Sequence, residues 1–275
     1  MKKSFGLALG AGGARGIAHV AVLEALDRMG ARPVHVAGTS IGALIGAAYA
    51  AGLSGKEIRR RVVALAHNRT DTWRRLVSAR AGTISNLFAM GLGSATLIDA
   101  ELFCAQFLPD QVPEYFDKLD LPLTVIASDL HRRRQVAISA GALRPAIAAS
   151  IAMPTLMRPV VLEDKVLIDG GATNPLPFDL LRDRADVVVA VDVSGEPNEE
   201  RRDIPNPWEC FLSTVMVMGA AITNEKLTRG APDLTIRPKV GLFRTLDFFQ
   251  ASAILRTAEA SQSDIEEHLA RLIGS

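Results

Sequence analysis

Residues 34–51 read VHVAGTSIGALIGAAYAA, and this stretch decides the fold. A short apolar run leads into Gly38-Thr39-Ser40-Ile41-Gly42, and small residues with helical spacing follow up to about position 51. We interpret this order as a strand, a tight turn and a helix.

The turn has the form Gly-X-Ser-X-Gly, in which the two glycines permit a sharp change of chain direction that exposes the serine hydroxyl. Ser40 is therefore the candidate nucleophile, and Gly38 and Gly42 form its elbow. The alternative is an ordinary glycine-rich turn in which Ser40 only caps the following helix.

The same order occurs at the start of the chain, where an apolar run over residues 4–9 precedes GAGGARG at 10–16 and helical spacing over 16–29. Free N–H groups and the helix dipole let such a loop hold a phosphate or an oxyanion. The glycines also fit a variant of the dinucleotide-binding motif, but no carboxylate between Asp27 and Glu57 is available to hold a ribose. A P-loop pattern is absent. An oxyanion hole beside Ser40 explains both loops together.

Further strands are predicted at residues 121–128, 135–139, 187–193 and 234–237, with a hairpin over 160–168. A capping box at Ser54 and Glu57 opens a helix, Pro145 opens another, and an amphipathic helix is expected near 246–273. The fold class is α/β, a three-layer α/β/α sandwich with a mainly parallel central sheet. We expect a single domain over residues 1–275, with a core at about 4–194 and a C-terminal helical extension at about 205–275.

The composition excludes several partners. With 31 basic and 30 acidic residues the net charge is +1, which gives no reason to expect nucleic acid. The two cysteines have no metal-binding or disulfide spacing, so we expect a reducing, cytoplasmic setting. Glycines and Arg15 interrupt the apolar start of the chain, which therefore lacks a signal-peptide core. No apolar run is long enough to span a bilayer, so membrane contact is expected to be peripheral, at the inner face.

A hydroxyl nucleophile needs a base, and Asp169 is the best candidate. It follows an apolar strand and precedes two glycines, which leave room for a serine and a substrate. A free aspartate, with a pKa of about 3.9, is a weak base, so this role requires a direct hydrogen bond to Ser40 and desolvation. The alternative is an aspartate in a plain turn. The chain has five histidines, to which we assign structural or surface roles: His19, His35, His67, His131 and His268.

Together these motifs resemble those of the patatin-like phospholipase family, whose pattern is a G-G-G-x-[RK]-G loop, a GxSxG elbow and a later DG[GA]. Here the motifs read AGGARG at 11–16, GTSIG at 38–42 and DGG at 169–171. The blocks at 149–154 and 173–177 are similar to those flanking the family's aspartate. The resemblance covers about residues 4–194 and is closest to bacterial members related to the catalytic domain of neuropathy target esterase.

The resemblance implies a serine acyl hydrolase acting on phospholipid, lysophospholipid or another acyl ester, with no metal and no cofactor. In this scheme Ser40 attacks the ester, Asp169 deprotonates it, and the N–H groups of Gly12 and Gly13 stabilise the oxyanion. Arg15 either adds positive potential or braces the loop. The chain departs from the family at Ala11, where the family has its first glycine, and at Thr155 and Met157, which puts acyl-chain selectivity in question.

Two other functions remain open: an acyltransferase or thioesterase that uses the same acyl-enzyme, and a noncatalytic lipid-binding regulatory module. Retention of both candidate catalytic residues and the glycine loop counts against the second. Two features of residues 56–97 bear on lipid contact. An arginine-rich patch over 56–80 suits either anionic headgroups or a solvated helix face. An apolar, glycine-interleaved stretch over 87–97 suits either a mobile lip or core packing.

Overall fold

The structure, a computed structural model, describes residues 3–68, 70, 72, 98–195, 204, 207–260 and 262–274. Strands of one sheet are β1 (Phe5–Leu9), β2 (His35–Thr39), β3 (Leu123–Asp129), β4 (Arg134–Ile138), β5 (Val160–Leu162), β6 (Lys165–Asp169), β7 (Val187–Val191) and β8 (Leu234–Ile236). Helices are α1 (His19–Arg28), α2 (Ile41–Ala50), α3 (Gly55–His67), α4 (Ala100–Phe107), α5 (Leu143–Ile151), α6 (Pro207–Arg229), α7 (Ala251–Glu259) and α8 (Gln262–Ile273). Short 3-10 turns occur at Gly13–Ala18, Phe116–Lys118, Gly170–Ala172, Phe178–Leu181 and Phe248–Gln250.

The central sheet is mainly parallel, as predicted. Five strands run parallel in the order β3-β2-β1-β7-β8. The strand β4 pairs antiparallel with β3, and the hairpin β5–β6 joins β3 through β6, also antiparallel. The uninterrupted apolar run of β7 reflects its place inside the parallel part, where a strand is covered on both faces.

Both faces of the sheet are covered, because successive side chains of a strand point to opposite sides. Leu7 and Leu9 of β1 belong to the larger core, which they share with apolar residues of α1, α2 and α5. Ala8, between them, belongs to a second cluster with Phe178 and Leu181 of the turn after β6, against which Leu227 of α6 packs. The predicted three-layer α/β/α arrangement is confirmed.

One feature of the sheet places the ends of β2 and β6 side by side. The strand β4 occupies one edge of β3 over Val125–Asp129, so β2 and β6 must share the opposite edge. On that edge Thr39, the last residue of β2, pairs with Ile126, and Asp169, the last residue of β6, pairs with Ala127. The two strands run in opposite directions and their carboxyl ends meet there.

The C-terminal part differs from the prediction. The prediction of a single amphipathic helix near 246–273 is wrong, because a 3-10 turn and two separate helices, α7 and α8, occupy this range. Both helices bury apolar faces in the same core, so the periodicity does not reveal that they are separate helices. The strand predicted within this part at 234–237 is confirmed as β8, which extends the central sheet beside β7.

Residues 69–118 show no clear period in the sequence, yet they contain α4. The side chain of Asp99 caps this helix by accepting hydrogen bonds from the N–H groups of Glu101 and Leu102. The capping box predicted at Ser54 and Glu57 is present at the start of α3. Within the described ranges, no helix combines the length and the apolar character needed to cross a membrane.

Candidate active site

Ser40 lies between the end of β2 and the start of α2, in the predicted strand–turn–helix elbow. Its backbone has φ 56° and ψ −123°, a conformation that non-glycine residues rarely adopt and that is typical of functional sites. The flanking glycines are required by close contacts. A Cβ on Gly42 would lie 2.2 Å from the carbonyl oxygen of Leu9, and one on Gly38 would lie 2.6 Å from that of Gly42.

The structure brings Ser40 and Asp169 into direct contact. The Ser40 hydroxyl donates a hydrogen bond of 2.6 Å to Oδ2 of Asp169, and both residues are only 7% exposed. This contact follows from the shared edge of β3. Thr39, which precedes Ser40, pairs with Ile126, and Asp169 pairs with the next residue, Ala127. The direct hydrogen bond that the sequence argument required of a Ser–Asp pair is therefore present.

The Asp169 carboxylate is buried and accepts one hydrogen bond on each of its two oxygens. Its Oδ1 accepts a hydrogen bond from the N–H of Gly171 at 2.7 Å, while Oδ2 accepts that of Ser40. Burial raises the pKa of Asp169 from 3.8 to about 6, and the hydrogen bonds from Ser40 and Gly171 act in the opposite direction. The carboxylate is thus a stronger base than a free aspartate, yet still ionised at neutral pH.

Two serines that the sequence argument did not single out hold the backbone of this pair. Ser150 of α5 is fully buried, and its Oγ accepts the N–H of Ser40 (2.9 Å) and donates to the carbonyl of Ile126 (2.5 Å). Ser128 of β3 donates to the carbonyl of Asp169 at 2.9 Å. The only sequence signal for Ser150 was its position in the block at 149–154, and Ser128 carried none.

The glycine loop presents two N–H groups beside the elbow. Three neighbouring N–H groups are already used by carbonyls elsewhere: Gly10 by Val191, Ala11 by Pro175 and Ala14 by Thr245, at 2.8–3.0 Å. Between them, in the described structure, the N–H groups of Gly12 and Gly13 have no hydrogen-bond partner. Gly13 has φ +57° and lines the same cavity as Ser40. Such an arrangement can donate to an oxyanion.

Arg15 points away from the cavity lining and toward α6. Its Nη2 contacts the sulfur of Met216 at 3.1 Å, and its Nη1 lies against Gly195. Burial lowers the pKa of Arg15, whereas the charge of Asp192 raises it. Of the two roles considered for Arg15, this geometry favours bracing the loop.

The histidines lie in supporting positions. His19 is fully buried and its Nε2 contacts the carbonyl of Gly10 at 2.8 Å, which steadies the glycine loop. Burial lowers the pKa of His19 to about 4, so its ring is neutral at physiological pH. His35 contacts the hydroxyl of Thr124 at 2.8 Å. Neither ring contacts Ser40 in the described structure.

Ser40 lines an apolar cavity of about 630 Å³. It follows one face of α2 and is lined by α3, α4 and the segment around residues 245–249. Thr155 and Met157, the two departures from the family block, also line it. Across the described ranges, no group of three or more His, Cys, Asp or Glu side chains is arranged to hold a metal ion.

The arginine-rich patch is described only in part. Arg59 of α3 forms ion pairs with Glu24 and Glu259, so the charge of this arginine is already paired within the protein. Arg61 donates to the carbonyl of Leu108 and lines the cavity. Four arginines of the patch and all apolar residues of the predicted lip lie outside the described residues: Arg69, Arg74, Arg75, Arg80, Leu87, Phe88, Met90, Leu92 and Leu97.

The fold and the site define an α/β protein with a serine elbow facing a buried aspartate. Residues 7–182 match the family described as patatin-like phospholipase, and the chain belongs to that family. A solved structure, VipD from Legionella pneumophila, is similar with a TM-score of 0.51 at 14% identity, covering 97% of this chain and 67% of that one. This likeness concerns the fold alone.

Several curated relatives can be aligned with most of this chain. An uncharacterized NTE family protein of Mycobacterium tuberculosis (strain ATCC 25618 / H37Rv) is 32% identical over 229 residues, or 82% of this chain and 59% of that protein. Lysophospholipase nte1 of Aspergillus niger is 28% identical over 98% of this chain and 18% of its own length. Patatin-like phospholipase domain-containing protein 7 of Rattus norvegicus is 31% identical over 88% and 19%. The chain therefore spans less than two thirds of each of these relatives.

Proposed function

We propose that the chain is a serine acyl hydrolase that cleaves carboxylic esters of lipids through Ser40 and Asp169. The observation that carries this proposal is the 2.6 Å hydrogen bond between a buried aspartate and a strained, buried serine that lines an apolar cavity. A hydroxyl nucleophile activated by an adjacent base is the arrangement that acyl transfer requires.

In the first half of the reaction, Ser40 Oγ attacks the ester carbonyl carbon while Asp169 takes the hydroxyl proton. The negative charge that develops on the carbonyl oxygen is stabilised by the N–H groups of Gly12 and Gly13. When the tetrahedral intermediate collapses, the C–O bond to the alcohol breaks and Asp169 returns the proton to the leaving alkoxide. An acyl-enzyme on Ser40 remains.

In the second half, water attacks the acyl-enzyme and Asp169 accepts a proton from it. The new tetrahedral intermediate collapses with departure of Ser40 Oγ, which regains its proton from Asp169, and a fatty acid is released. The pKa of about 6 suits both steps. The carboxylate is ionised at pH 7 and can accept a proton, and its pKa lies close enough to the operating pH for the proton to be given back.

The substrate class follows from the cavity and the family. An apolar cavity of about 630 Å³ has the size of a small-ligand site and suits an acyl chain, leaving the headgroup outside. Two curated relatives carry the names lysophospholipase and patatin-like phospholipase. We therefore expect phospholipid or lysophospholipid as the substrate. The exposed free thiol of Cys210 suits a reducing compartment, so we place the reaction in the cytoplasm.

The test measures fatty acid release from lysophospholipid and cleavage of p-nitrophenyl esters, both with EDTA present, for the wild type, Ser40→Ala and Asp169→Ala. Asp129→Ala is a matched control, because Asp129 is a buried carboxylate of β3 that bonds only its own turn in the described structure. Fluorophosphonate labelling is followed in parallel. We expect loss of turnover and labelling in Ser40→Ala, severe loss in Asp169→Ala, and turnover in the control. Folded wild type that neither hydrolyses nor labels would contradict the proposal, and acyl transfer to an added alcohol without net hydrolysis would redirect it to a transferase.

A further inference from the structure

A cluster of apolar side chains is exposed at the entrance of the cavity. Within the described residues, four of the exposed large hydrophobic side chains fall in one eight-residue segment, and Leu242 is 80% exposed. The four, here called the apolar rim, are Leu242, Leu246, Phe248 and Phe249. Single exposed apolar residues are ordinary, but a contiguous cluster points to an interaction surface.

The rim is continuous with the cavity that contains Ser40. Leu246, Phe248 and Phe249 are exposed and also line that cavity. The carbonyl of Thr245, in the same segment, accepts the N–H of Ala14 at 2.8 Å, which joins the segment to the glycine loop. Because these three side chains are both exposed and part of the cavity lining, the rim borders an opening of the cavity.

Local hydrogen bonds hold the rim segment in a defined shape. The carboxylate of Asp247 accepts the N–H of Arg244 at 2.8 Å, and its carbonyl accepts the N–H of Gln250 at 2.9 Å. The Arg244 guanidinium forms an ion pair with Glu209 of α6. These contacts fix the backbone between Arg244 and Gln250, which carries Leu246, Phe248 and Phe249.

The position of the rim argues for a lipid surface as that partner. A protein seated on the rim would close the entrance to Ser40, whereas a lipid surface would supply substrate through it. Lys239 is exposed in the same stretch of chain, which adds attraction for anionic headgroups. Apolar side chains next to basic ones are typical of segments that bind at the membrane interface.

We propose that the apolar rim inserts into the surface of a phospholipid bilayer, so that an acyl chain passes from the lipid into the cavity without crossing water. This inference rests on the proposed function for its substrate, but the seating itself is a separate property of residues 242–249. Leu242 is the residue that tests it, because it is the most exposed member of the rim and is not part of the described cavity lining.

The experiment measures co-sedimentation of the Ser40→Ala protein with phosphatidylcholine vesicles, with and without phosphatidylglycerol. Leu242→Asp is compared with Val161→Asp, a matched change at a 71% exposed apolar residue of β5. We expect Leu242→Asp to weaken vesicle binding about tenfold or more, since it replaces an inserted apolar side chain with a charge, and Val161→Asp to leave it unchanged. Hydrolysis is measured in protein that retains Ser40. There, Leu242→Asp should lower hydrolysis of vesicle phospholipid by a similar factor and preserve cleavage of a short, soluble p-nitrophenyl ester.

Equal vesicle binding with and without Leu242→Asp would overturn the proposal. An absence of vesicle binding in a protein that cleaves the soluble ester would overturn it as well. A change in the elution volume of Leu242→Asp with unaltered vesicle binding would show that the rim is a contact between copies of the chain. Because binding is measured without the nucleophile, vesicle binding by a protein that lacks all hydrolysis would contradict the proposed function and leave the seating supported.

Discussion

The side-chain oxygen of Ser150 accepts the backbone N–H of Ser40 at 2.9 Å. The same oxygen donates to the carbonyl of Ile126 at 2.5 Å, so one hydroxyl connects the elbow on α2 with the central strand β3. Ser40 has a positive φ and immediately precedes the first residue of α2, so its N–H has no acceptor within that helix. Ser150 therefore stabilises a backbone conformation that would otherwise leave a buried donor unsatisfied.

Ser150→Ala should act as the loss of a positioning residue. It leaves two buried backbone groups without partners, which costs roughly 1–3 kcal/mol in the free energy of unfolding. We expect kcat to fall about 10- to 100-fold with KM nearly unchanged, because misplacement of the nucleophile affects the transition state more than binding. Steady-state kinetics on a p-nitrophenyl ester checks this. Thr124→Val, which removes a buried hydroxyl at the other end of β3, should lower stability alone; an equal loss of kcat there would contradict the assignment.

The pH dependence of hydrolysis should report the ionisation of Asp169. The base works only when deprotonated, so kcat/KM should rise with pH as a single-proton limb centred near the pKa of about 6 and then level off. His19 and His35 do not contribute to this limb, because burial lowers the pKa of each to about 4. The measurement uses a neutral ester between pH 4.5 and 8. A flat profile over this range, or a limb centred well above pH 7, would point to a different base.

Asp169→Asn should abolish activity and stabilise the fold at neutral pH. The folded-state pKa of Asp169 lies above its ordinary value, so the native state binds the proton more tightly, and stability is lost as pH rises from about 4 to about 6. The amide removes this penalty, a gain of roughly 1–3 kcal/mol above pH 6. Its oxygen can still accept from Gly171 and its NH2 can donate to Ser40. Urea unfolding of both proteins at pH 4 and pH 7.5 checks the sign: the difference should grow with pH, and a destabilised variant at pH 7.5 would contradict the prediction.

Gly42→Ala should disrupt the elbow. The new Cβ would lie 2.2 Å from the carbonyl oxygen of Leu9, and this contact is with backbone that cannot move without shifting β1. We expect a loss of about 3 kcal/mol or more in unfolding free energy. Gly219→Ala in α6 is the control, since its nearest neighbour would be 3.5 Å away and alanine favours a helix. Chemical denaturation of the two variants should separate them clearly, and equal stabilities would show that the elbow backbone adapts.

The sequence predicted the parts of the site that depend on local geometry. The elbow at Ser40 needs glycines on both sides, and the loop at 10–16 needs small residues, so both leave a mark in the sequence. The capping box at Ser54 and the hairpin over 160–168 are local for the same reason. The prediction of Asp169 rested on a carboxylate that ends an apolar strand next to glycines, together with the resemblance of residues 169–171 to the family's DG[GA] motif.

What the sequence could not predict depends on contacts between distant segments. Ser40 and Asp169 are 129 positions apart, and only the pairing of β2 and β6 with β3 brings them to 2.6 Å. Ser128 and Ser150 look like any other serine in a strand or helix until their partners are known. The division into α7 and α8 was missed because both helices bury apolar residues in the same core.

The shared edge of β3 also determines how much change this architecture tolerates. The pair is assembled by strand pairing, of Thr39 with Ile126 and of Asp169 with Ala127, rather than by the length of chain between its members. Insertions in the surface connections that separate β2 from β6 can therefore accumulate without separating nucleophile from base. A slip of β6 by one residue is a different matter, because it would present Ile168 where Asp169 belongs and turn its neighbours to the opposite face. Evolution is free to remodel substrate preference in those connections, while the alignment of two strand ends has to be inherited unchanged.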